Sequence, residues 1–289
     1  MTVKEAYQQL LLQLYTLYDD REAANIADLV IEHVTGQRKI DRIIFKTLAV
    51  DELQQKVLEN ISSQLLSHVP VQYVLKEAWF YGMKFYVDRN VLIPRPETEE
   101  LIEWVIEEIR NTKYEIQNVE LLDIGTGSGC IPISLKKKLS SANISSVDIS
   151  EAAIAVAKKN AVALNAEINF IDLDFLDENN WKDLSVYDII VSNPPYIKQS
   201  EQVNMSQHVI SQEPHLALFV ADDDALLFYK KIALFGKKHL NPNGKIFVEI
   251  NEKAGKETED VFIQMEYQIV LKKDLQGKDR MLMAELKTT

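Results

Sequence analysis

The chain has 289 residues, 46% hydrophobic and 26% charged, and its 44 acidic residues against 32 basic ones give a net charge of −12. This is the composition of a globular protein and excludes a disordered or fibrous one. The negative charge argues against a protein that coats DNA or RNA, because such binding depends on neutralising phosphates. The single cysteine, Cys130, excludes an intrachain disulfide and a cysteine-based metal cluster.

Targeting and metal-binding signals are missing from the sequence. No apolar run approaches the roughly 18 residues that a membrane-spanning helix requires, and the start of the chain lacks a secretory pattern. The five histidines are scattered without paired metal-ligand spacing, so we predict no metal site. We therefore expect a soluble, cytoplasmic monomer that acts without a membrane.

The amino-terminal part of the chain has the apolar spacing of helices. Helices are predicted over residues 7–18 and 24–34, around 42–48, and over 51–65. No strand-like alternation and no catalytic motif occurs among them. We predict an all-helical domain over residues 1–75, and we expect it to recognise the substrate.

Residues 76–95 are predicted to form a β-hairpin linker. The segment is rich in aromatic and β-branched residues, and residues 88–90 supply turn chemistry between predicted strands at 84–87 and 91–93. Pro96 is well placed to begin the next helix, since proline fits the first helical position.

From residue 96 to residue 289, short apolar strands alternate with amphipathic helices. Strands are predicted at 119–124, 144–147, 168–170, 188–191 and 245–250, and helices at 131–139, 151–164 and 225–238. This rhythm is typical of an α/β fold in which a mostly parallel sheet carries helices on both faces. Two further strands, at 268–271 and 281–285, are expected to pair antiparallel.

A glycine-rich loop follows the first of these strands and opens a helix. Its sequence is Asp123-Ile124-Gly125-Thr126-Gly127-Ser128-Gly129. Glycines let the chain turn sharply and let backbone N–H groups approach a ligand. Cys130 stands where a dinucleotide fingerprint has its third glycine, which favours S-adenosylmethionine over NAD. Residues predicted to bind the cofactor here are Asp123, Gly125, Thr126, Gly127, Ser128 and Gly129.

Carboxylates follow the next two predicted strands. Asp148 lies 19 residues after the last loop glycine, where an acidic side chain accepts hydrogen bonds from both ribose hydroxyls; the alternative is a solvated acid or a helix cap. Asp174 and Phe175 follow the third strand, where they would supply a polar acceptor and an apolar lid for adenine. Asp172, Asp174 and Asp177 are equally good candidates for ordinary loop acids.

The motif Asn193-Pro194-Pro195-Tyr196 comes directly after the strand at 188–191. The two prolines fix the backbone, so the Asn193 side-chain oxygen and the Pro194 carbonyl face one incoming NH2 group. Such a pair of acceptors would aim the nitrogen lone pair at a methyl donor, and Tyr196 would cover the planar group. We predict Asn193, Pro194 and Tyr196 to be catalytic and all four residues to bind the substrate; that Asn193 contacts the cofactor as well is implied by the family resemblance that follows.

Residues from about 69 to 286 resemble the HemK-type protein-(glutamine-N5) methyltransferases, which modify peptide chain release factors. The residues that carry the resemblance are Phe80-Tyr81-Gly82 with Phe85, Val91-Leu92-Ile93-Pro94-Arg95-Pro96-Glu97-Thr98-Glu99, the glycine loop, Asn193 to Ile197, Glu213-Pro214 with Ala217-Leu218, and Asp274-Leu275 with Gly277 and Arg280. The segment from Leu92 to Glu99 is the most selective of these. Lys76, where the family commonly has glycine, and Ala221, Asp222 and Ala225 depart from the pattern.

The resemblance implies a Rossmann-like, class I S-adenosylmethionine-dependent methyltransferase domain whose mostly parallel sheet has an antiparallel strand near its end. It also implies methylation of the glutamine in a release-factor Gly-Gly-Gln motif, without direct nucleic-acid binding. Two alternatives stay open: an N-methyltransferase acting on an exocyclic amino group of DNA or RNA, and a non-catalytic S-adenosylmethionine-binding scaffold. The acidic charge argues against the first, since extracting a base needs a basic, aromatic cleft.

Overall fold

The computed structural model describes residues 1–45, 47–111, 119–204 and 207–287. It contains two compact units, one formed by Met1–Glu77 with Ser206–Gln212 and the other by Ala78–Met205 with Glu213–Thr289. Within the described ranges, no helix has the length and apolarity that crossing a membrane requires.

The first unit is helical, as the sequence predicts. Its helices are α1 (Val3–Leu14), α2 (Asp20–Thr35), α3 (Lys39–Ile44), α4 (Glu52–Leu66) and α5 (Val71–Leu75). Asp19 caps α2 by accepting from two backbone N–H groups, and Gly36 ends it in a left-handed conformation. The third predicted helix was placed too late in the chain. Lys76 ends α5 with a φ of 57°, a conformation that glycine adopts freely. The lysine that replaces the family's common glycine therefore stands at a position whose backbone favours glycine.

The hairpin exists, but its predicted turn is wrong. The strands are β1 (Ala78–Phe80) and β2 (Met83–Phe85), which pair antiparallel around Tyr81 and Gly82. Tyr81 and Gly82 have φ values of 52° and 71°, which suit a two-residue turn that matches strand twist. Residues 88–90 form a separate turn, in which the Asn90 N–H donates to the Asp88 carboxylate at 3.0 Å.

The second unit is built on a seven-stranded sheet. Its strands are β3 (Glu120–Ile124), β4 (Asn143–Asp148), β5 (Asn169–Asp172), β6 (Tyr187–Ser192), β9 (Leu240–Glu249), β10 (Tyr267–Lys273) and β11 (Asp279–Leu286), in the order β10-β11-β9-β6-β3-β4-β5. Strand β11 runs opposite to the other six strands and pairs antiparallel with both β10 and β9. This confirms the predicted Rossmann-like architecture, including the antiparallel pairing of the last two strands.

Helices cover both faces of this sheet. They are α6 (Pro96–Asn111), α7 (Cys130–Lys138), α8 (Glu151–Ala163), α11 (Leu227–His239) and α12 (Gly255–Gln264). A further short helix, α10 (His215–Leu218), follows Pro214. Successive residues of β3 face opposite layers, with Leu121 in the core that contains α6 and Leu122 in the core that contains α11. Both layers are therefore apolar, which explains the uninterrupted hydrophobic strands.

Some short elements were not predicted. They include the helix α9 (Gln207–Gln212) and the strands β7 (Ile197–Lys198) and β8 (Phe219–Val220), which pair parallel outside the main sheet. Elements of this length carry too few residues to show a periodic pattern. Helix α12 was also missed, because four of its ten residues are charged and only one side of it is buried.

Candidate active site

A cleft opens at the carboxyl ends of β3, β4, β5 and β6. Strand β3 pairs with β4 on one side and with β6 on the other, so the chain changes direction across the sheet at this point. Ligands of open α/β sheets bind at such a switch point. The predicted residues that line the cleft are Gly125, Gly127, Asp148, Asp174, Phe175, Asn193 and Pro195. Three other residues of the glycine loop, Asp123, Thr126 and Ser128, are buried and do not line the cleft.

The glycine loop takes its shape from three positive φ angles. Gly125, Gly127 and Gly129 have φ values of 83°, 51° and 80°. A Cβ at Gly125 or Gly127 would enter open space, whereas one at Gly129 would lie 2.9 Å from Ile133 Cδ1. Gly129 is therefore required for packing at the start of α7, and the other two glycines leave room in the cleft.

Asp148 fixes the glycine loop from the neighbouring strand. Its Oδ2 accepts from the Gly127 N–H and its Oδ1 accepts from the Ser150 N–H, both at 2.9 Å. Burial raises the pKa of Asp148, and the backbone donors oppose that rise. Each carboxylate oxygen retains a lone pair for another donor, such as a ribose hydroxyl.

Asp123 is a fully buried carboxyl group beneath the same loop. Its Oδ2 accepts from the Ser146 hydroxyl at 2.6 Å, while its Oδ1 has no hydrogen-bond partner among the described residues. Burial raises the pKa of Asp123 to about 7. Asp123 Oδ1 is thus an orphaned buried acceptor next to the glycines of the loop, although Asp123 does not line the cleft itself.

The structure places the acidic and aromatic residues at and after the end of β5 in different environments. Asp174 is half-buried at the cleft, and its Oδ1 accepts from the Leu176 N–H at 2.9 Å. The Phe175 ring packs against Trp181 and Phe235 at centroid distances of 5.5 and 5.3 Å, so it is a fixed wall and not a movable cover. The other two loop acids, Asp172 and Asp177, are exposed and do not line the cleft.

Asn193 is held by a chain of hydrogen bonds that the sequence did not predict. Its Nδ2 donates to Thr98 Oγ1 at 3.1 Å, and the Thr98 hydroxyl donates to Glu249 Oε2 at 2.6 Å. Tyr196 donates its hydroxyl to Glu249 Oε1 at 3.1 Å. Burial raises the pKa of Tyr196, so this hydroxyl stays protonated and remains a donor. The signal available in the sequence was Glu249 itself, a carboxylate inside the apolar run from Ile246 to Ile250.

An ion pair fixes a second wall of the cleft. The buried Glu213 carboxylate accepts from Arg95 Nη2 at 2.7 Å and from the Ile93 N–H at 3.4 Å. Pro214 and Leu92, the sequence neighbours of Glu213 and Ile93, both line the cleft. Two of the family patterns, one around Arg95 and one at Glu213-Pro214, thus meet in one contact.

Asn160 joins the glycine loop to the segment after the hairpin. Its side chain donates to the Ser128 carbonyl at 2.9 Å and exchanges hydrogen bonds with the Tyr86 backbone at 2.7 and 2.9 Å. A lone asparagine on the buried, alanine-rich face of α8 was the sequence signal for this contact. Buried amides are retained where they satisfy backbone groups that helices and strands do not.

These features fit a cofactor that carries a cationic group and a ribose. Asp123 Oδ1 is a buried acceptor that finds no partner in the described part of the chain, and Asp148 presents acceptor oxygens at the cleft. The open space above Gly125 and Gly127 lets a ligand approach the backbone. S-adenosylmethionine has both the cationic group and the ribose diol that such a site would accept.

Comparison with protein families and solved structures agrees with this fold. Residues 5–75 match the model of the PrmC N-terminal domain, and residues 104–217 match the Methyltransferase small domain. The fold is similar to that of the N-terminal domain of human METTL16 in complex with SAH, with a TM-score of 0.52 and 19% identity over 72% of this chain and 77% of that one. This likeness shows the shared fold.

Relatives of known name cover nearly the whole chain. The release factor glutamine methyltransferase of Flavobacterium psychrophilum is 41% identical over 98% of both chains. That of Bacteroides thetaiotaomicron is 40% identical over 94% of this chain and 95% of its own. The chain belongs to the release factor glutamine methyltransferase family.

Proposed function

We propose that this chain transfers a methyl group from S-adenosylmethionine to N5, the side-chain amide nitrogen, of a glutamine in a peptide chain release factor. The observation that carries the proposal is the position of Asn193, which lines the same cleft as Gly127 and Asp148. An amide acceptor thus stands beside a loop suited to the methyl donor. The names of the relatives supply the substrate class.

The cofactor side is formed by the loops after β3, β4 and β5. When bound, S-adenosylmethionine supplies an electrophilic methyl group on a sulfonium centre. In our proposal Asp148 accepts from the ribose hydroxyls, and Asp123 accepts from the cationic end of the cofactor. The cofactor also contacts the backbone of Thr126, Ser128 and the loop glycines. Its adenine lies beside Asp174 and Phe175.

The acceptor side is formed by Asn193 to Tyr196. An amide nitrogen is a weak nucleophile because its lone pair is delocalised. Asn193 Oδ1 and the Pro194 carbonyl would each accept one hydrogen of the glutamine NH2 group, with Pro195 and Tyr196 bordering the planar amide. This arrangement favours a nitrogen that turns its lone pair toward the methyl group and stabilises the positive charge that develops there. The proton leaves after the nitrogen has become cationic, so no base is required before attack.

The proposed substrate is the glutamine of an exposed Gly-Gly-Gln loop. Two preceding glycines have little bulk and wide conformational freedom, so they can carry a glutamine deep into a narrow cleft. We propose that the helical domain over residues 1–75 recognises the rest of the factor, and that the enzyme acts as a monomer in the cytoplasm. This proposal needs no direct contact with nucleic acid.

The test is incubation of purified release factor with the enzyme and labelled S-adenosylmethionine, followed by peptide mapping by tandem mass spectrometry. We expect one methyl group on the motif glutamine and none on a factor in which that glutamine is replaced by glutamate. The Asn193→Ala enzyme is the control for transfer by other groups. Label in DNA or RNA, with none in the release factor, would refute the proposal and favour the nucleic-acid alternative.

A further inference from the structure

A buried carboxylate lies below the two side chains that the proposed mechanism places at the glutamine. Glu249 is the last residue of β9 and is 1% exposed. Its two oxygens accept from two hydroxyls, Thr98 at 2.6 Å and Tyr196 at 3.1 Å. Neither Thr98 nor Glu249 borders the cleft itself.

The direction of these hydrogen bonds determines how the Asn193 amide is turned. A carboxylate only accepts, and a threonine hydroxyl has one proton to give. Because Thr98 donates that proton to Glu249, its oxygen can only accept from Asn193. The amide must therefore turn its NH2 group to Thr98, as the 3.1 Å contact shows, which leaves Oδ1 for the cleft.

We propose that Thr98 and Glu249 are positioning residues for methyl transfer, which hold the Asn193 amide in the orientation that accepts a glutamine NH2 group and fix Tyr196 through its hydroxyl. The proposal rests on the function proposed above. A reversed Asn193 amide would present hydrogens to the hydrogens of the substrate and could not accept them. The carboxylate thus acts through Thr98 and Asn193, three hydrogen bonds away from the reacting nitrogen.

Thr98→Val removes the acceptor for Asn193 with little change in side-chain volume. The NH2 group then lacks a partner inside the protein, whereas in the reversed amide the NH2 group faces the cleft and only the oxygen lacks one. Orphaned buried acceptors are tolerated better than orphaned donors, so the productive orientation is no longer the favoured one. We expect kcat to fall by about 10- to 100-fold, with the affinity for cofactor unchanged within about threefold. Thr98→Ser keeps the hydroxyl and should restore kcat to within a few-fold of the wild-type value.

A matched control is available in α12. Thr258 is also fully buried, and its hydroxyl donates to the Ala254 carbonyl at 2.7 Å within the helix. Thr258→Val removes a buried hydroxyl without touching Asn193, so we expect wild-type kcat. Wild-type kcat in Thr98→Val, or a Thr98→Ser enzyme as slow as Thr98→Val, would overturn the proposal.

Glu249→Gln provides a second variant that tests the direction of the network. Its NH2 group can donate to Thr98, which frees the Thr98 hydroxyl to donate to Asn193 Oδ1 and to reverse the amide. We expect a lower kcat with the cofactor affinity retained. An unchanged kcat would contradict the role of the carboxylate even where Thr98→Val fails to fold.

A measurement without substrate separates this proposal from the proposed function. The side-chain NH2 signals of Asn193, assigned by their loss in Asn193→Ala, report its hydrogen bond in nitrogen-resolved NMR spectra. We expect slow hydrogen exchange in the wild type and in Thr258→Val, and faster exchange with shifted signals in Thr98→Val. Unchanged signals in Thr98→Val would refute the positioning role. Changed signals, with no methylation of release factor by the wild type, would refute the proposed function alone.

Discussion

Replacement of Asp148 by asparagine tests the cofactor side of the cleft. The carboxylate accepts from Gly127 and Ser150 with separate oxygens, each at 2.9 Å. Asparagine has one acceptor oxygen, so its NH2 group must face one of these N–H donors. The change therefore disturbs the loop and also removes the charged acceptor proposed for the ribose.

The two effects differ in size. Burial raises the pKa of Asp148, which means that its negative charge destabilises the folded state. The neutral asparagine side chain removes that cost, and this offsets part of the stability lost with one backbone hydrogen bond. Hydrogen bonds to charged groups contribute about 1.5–3 kcal/mol each. Loss of one such bond to the cofactor corresponds to roughly 10- to 150-fold weaker binding. The free protein should remain folded, and the methyl step at saturating cofactor should slow by less than the affinity falls.

Calorimetric titration with S-adenosylmethionine and its demethylated product measures this effect directly. Asp172→Asn is the matched control, because Asp172 pairs with Asp148 on the adjacent strand and is exposed outside the cleft. We expect the control to bind within about threefold of wild type, since an exposed charge contributes little. Equal affinities for the wild type and Asp148→Asn, or an equal loss in both variants, would exclude Asp148 from the site.

Three further changes test other parts of the cleft. Asn193→Ala should lower the single-turnover rate by about 10²–10³ at saturating substrates, and a rate within a few-fold of wild type would refute its role as acceptor. Because burial raises the pKa of Asp123 to about 7 from 3.8, the folded state binds the proton more tightly and loses stability as pH rises from about 4 to 7. Asp123→Asn should gain stability relative to the wild type over that range, by at most about 4 kcal/mol, and urea unfolding that shows no pH-dependent difference would contradict this. Gly127→Ala should remain folded but bind cofactor weakly. Gly129→Ala, whose Cβ would lie 2.9 Å from Ile133, should lose about 2–4 kcal/mol of stability in thermal unfolding. Equal stability of the two variants would disprove the packing argument.

The sequence predicted the parts of the site that are local in the chain. The glycine loop and Asn193-Pro194-Pro195-Tyr196 each follow a strand directly, so the strand pattern was enough to place them at one edge of the sheet. The hairpin was predicted in the correct segment, but its turn was misplaced because the Asp and Asn around residue 89 are stronger turn signals than Tyr81-Gly82. Only the backbone angles of Tyr81 and Gly82 show which turn joins the strands.

The contacts between distant parts of the chain were not predictable from local patterns. Thr98 belongs to a selective motif and Glu249 to a predicted strand, yet nothing in either segment shows that the two side chains meet. The same holds for Asn160, which lies on α8, and its partner Ser128 in the glycine loop. Such pairings depend on strand order, and strand order is set by packing of the whole sheet.

The spacing of Thr98, Asn193 and Glu249 along the chain has a consequence for biosynthesis. Asn193 and Thr98 are 95 positions apart, and Thr98 and Glu249 are 151 apart, whereas the loops proposed for the cofactor all come from residues 123–175. A nascent chain translated as far as Tyr196 already contains the whole glycine loop and the tetrapeptide, but not the strand that supplies Glu249. The carboxylate enters only when β9 is inserted beside β6. A growing polypeptide therefore acquires the segments proposed to hold the methyl donor well before Glu249, and an incompletely synthesised copy lacks the carboxylate that we propose to orient the acceptor.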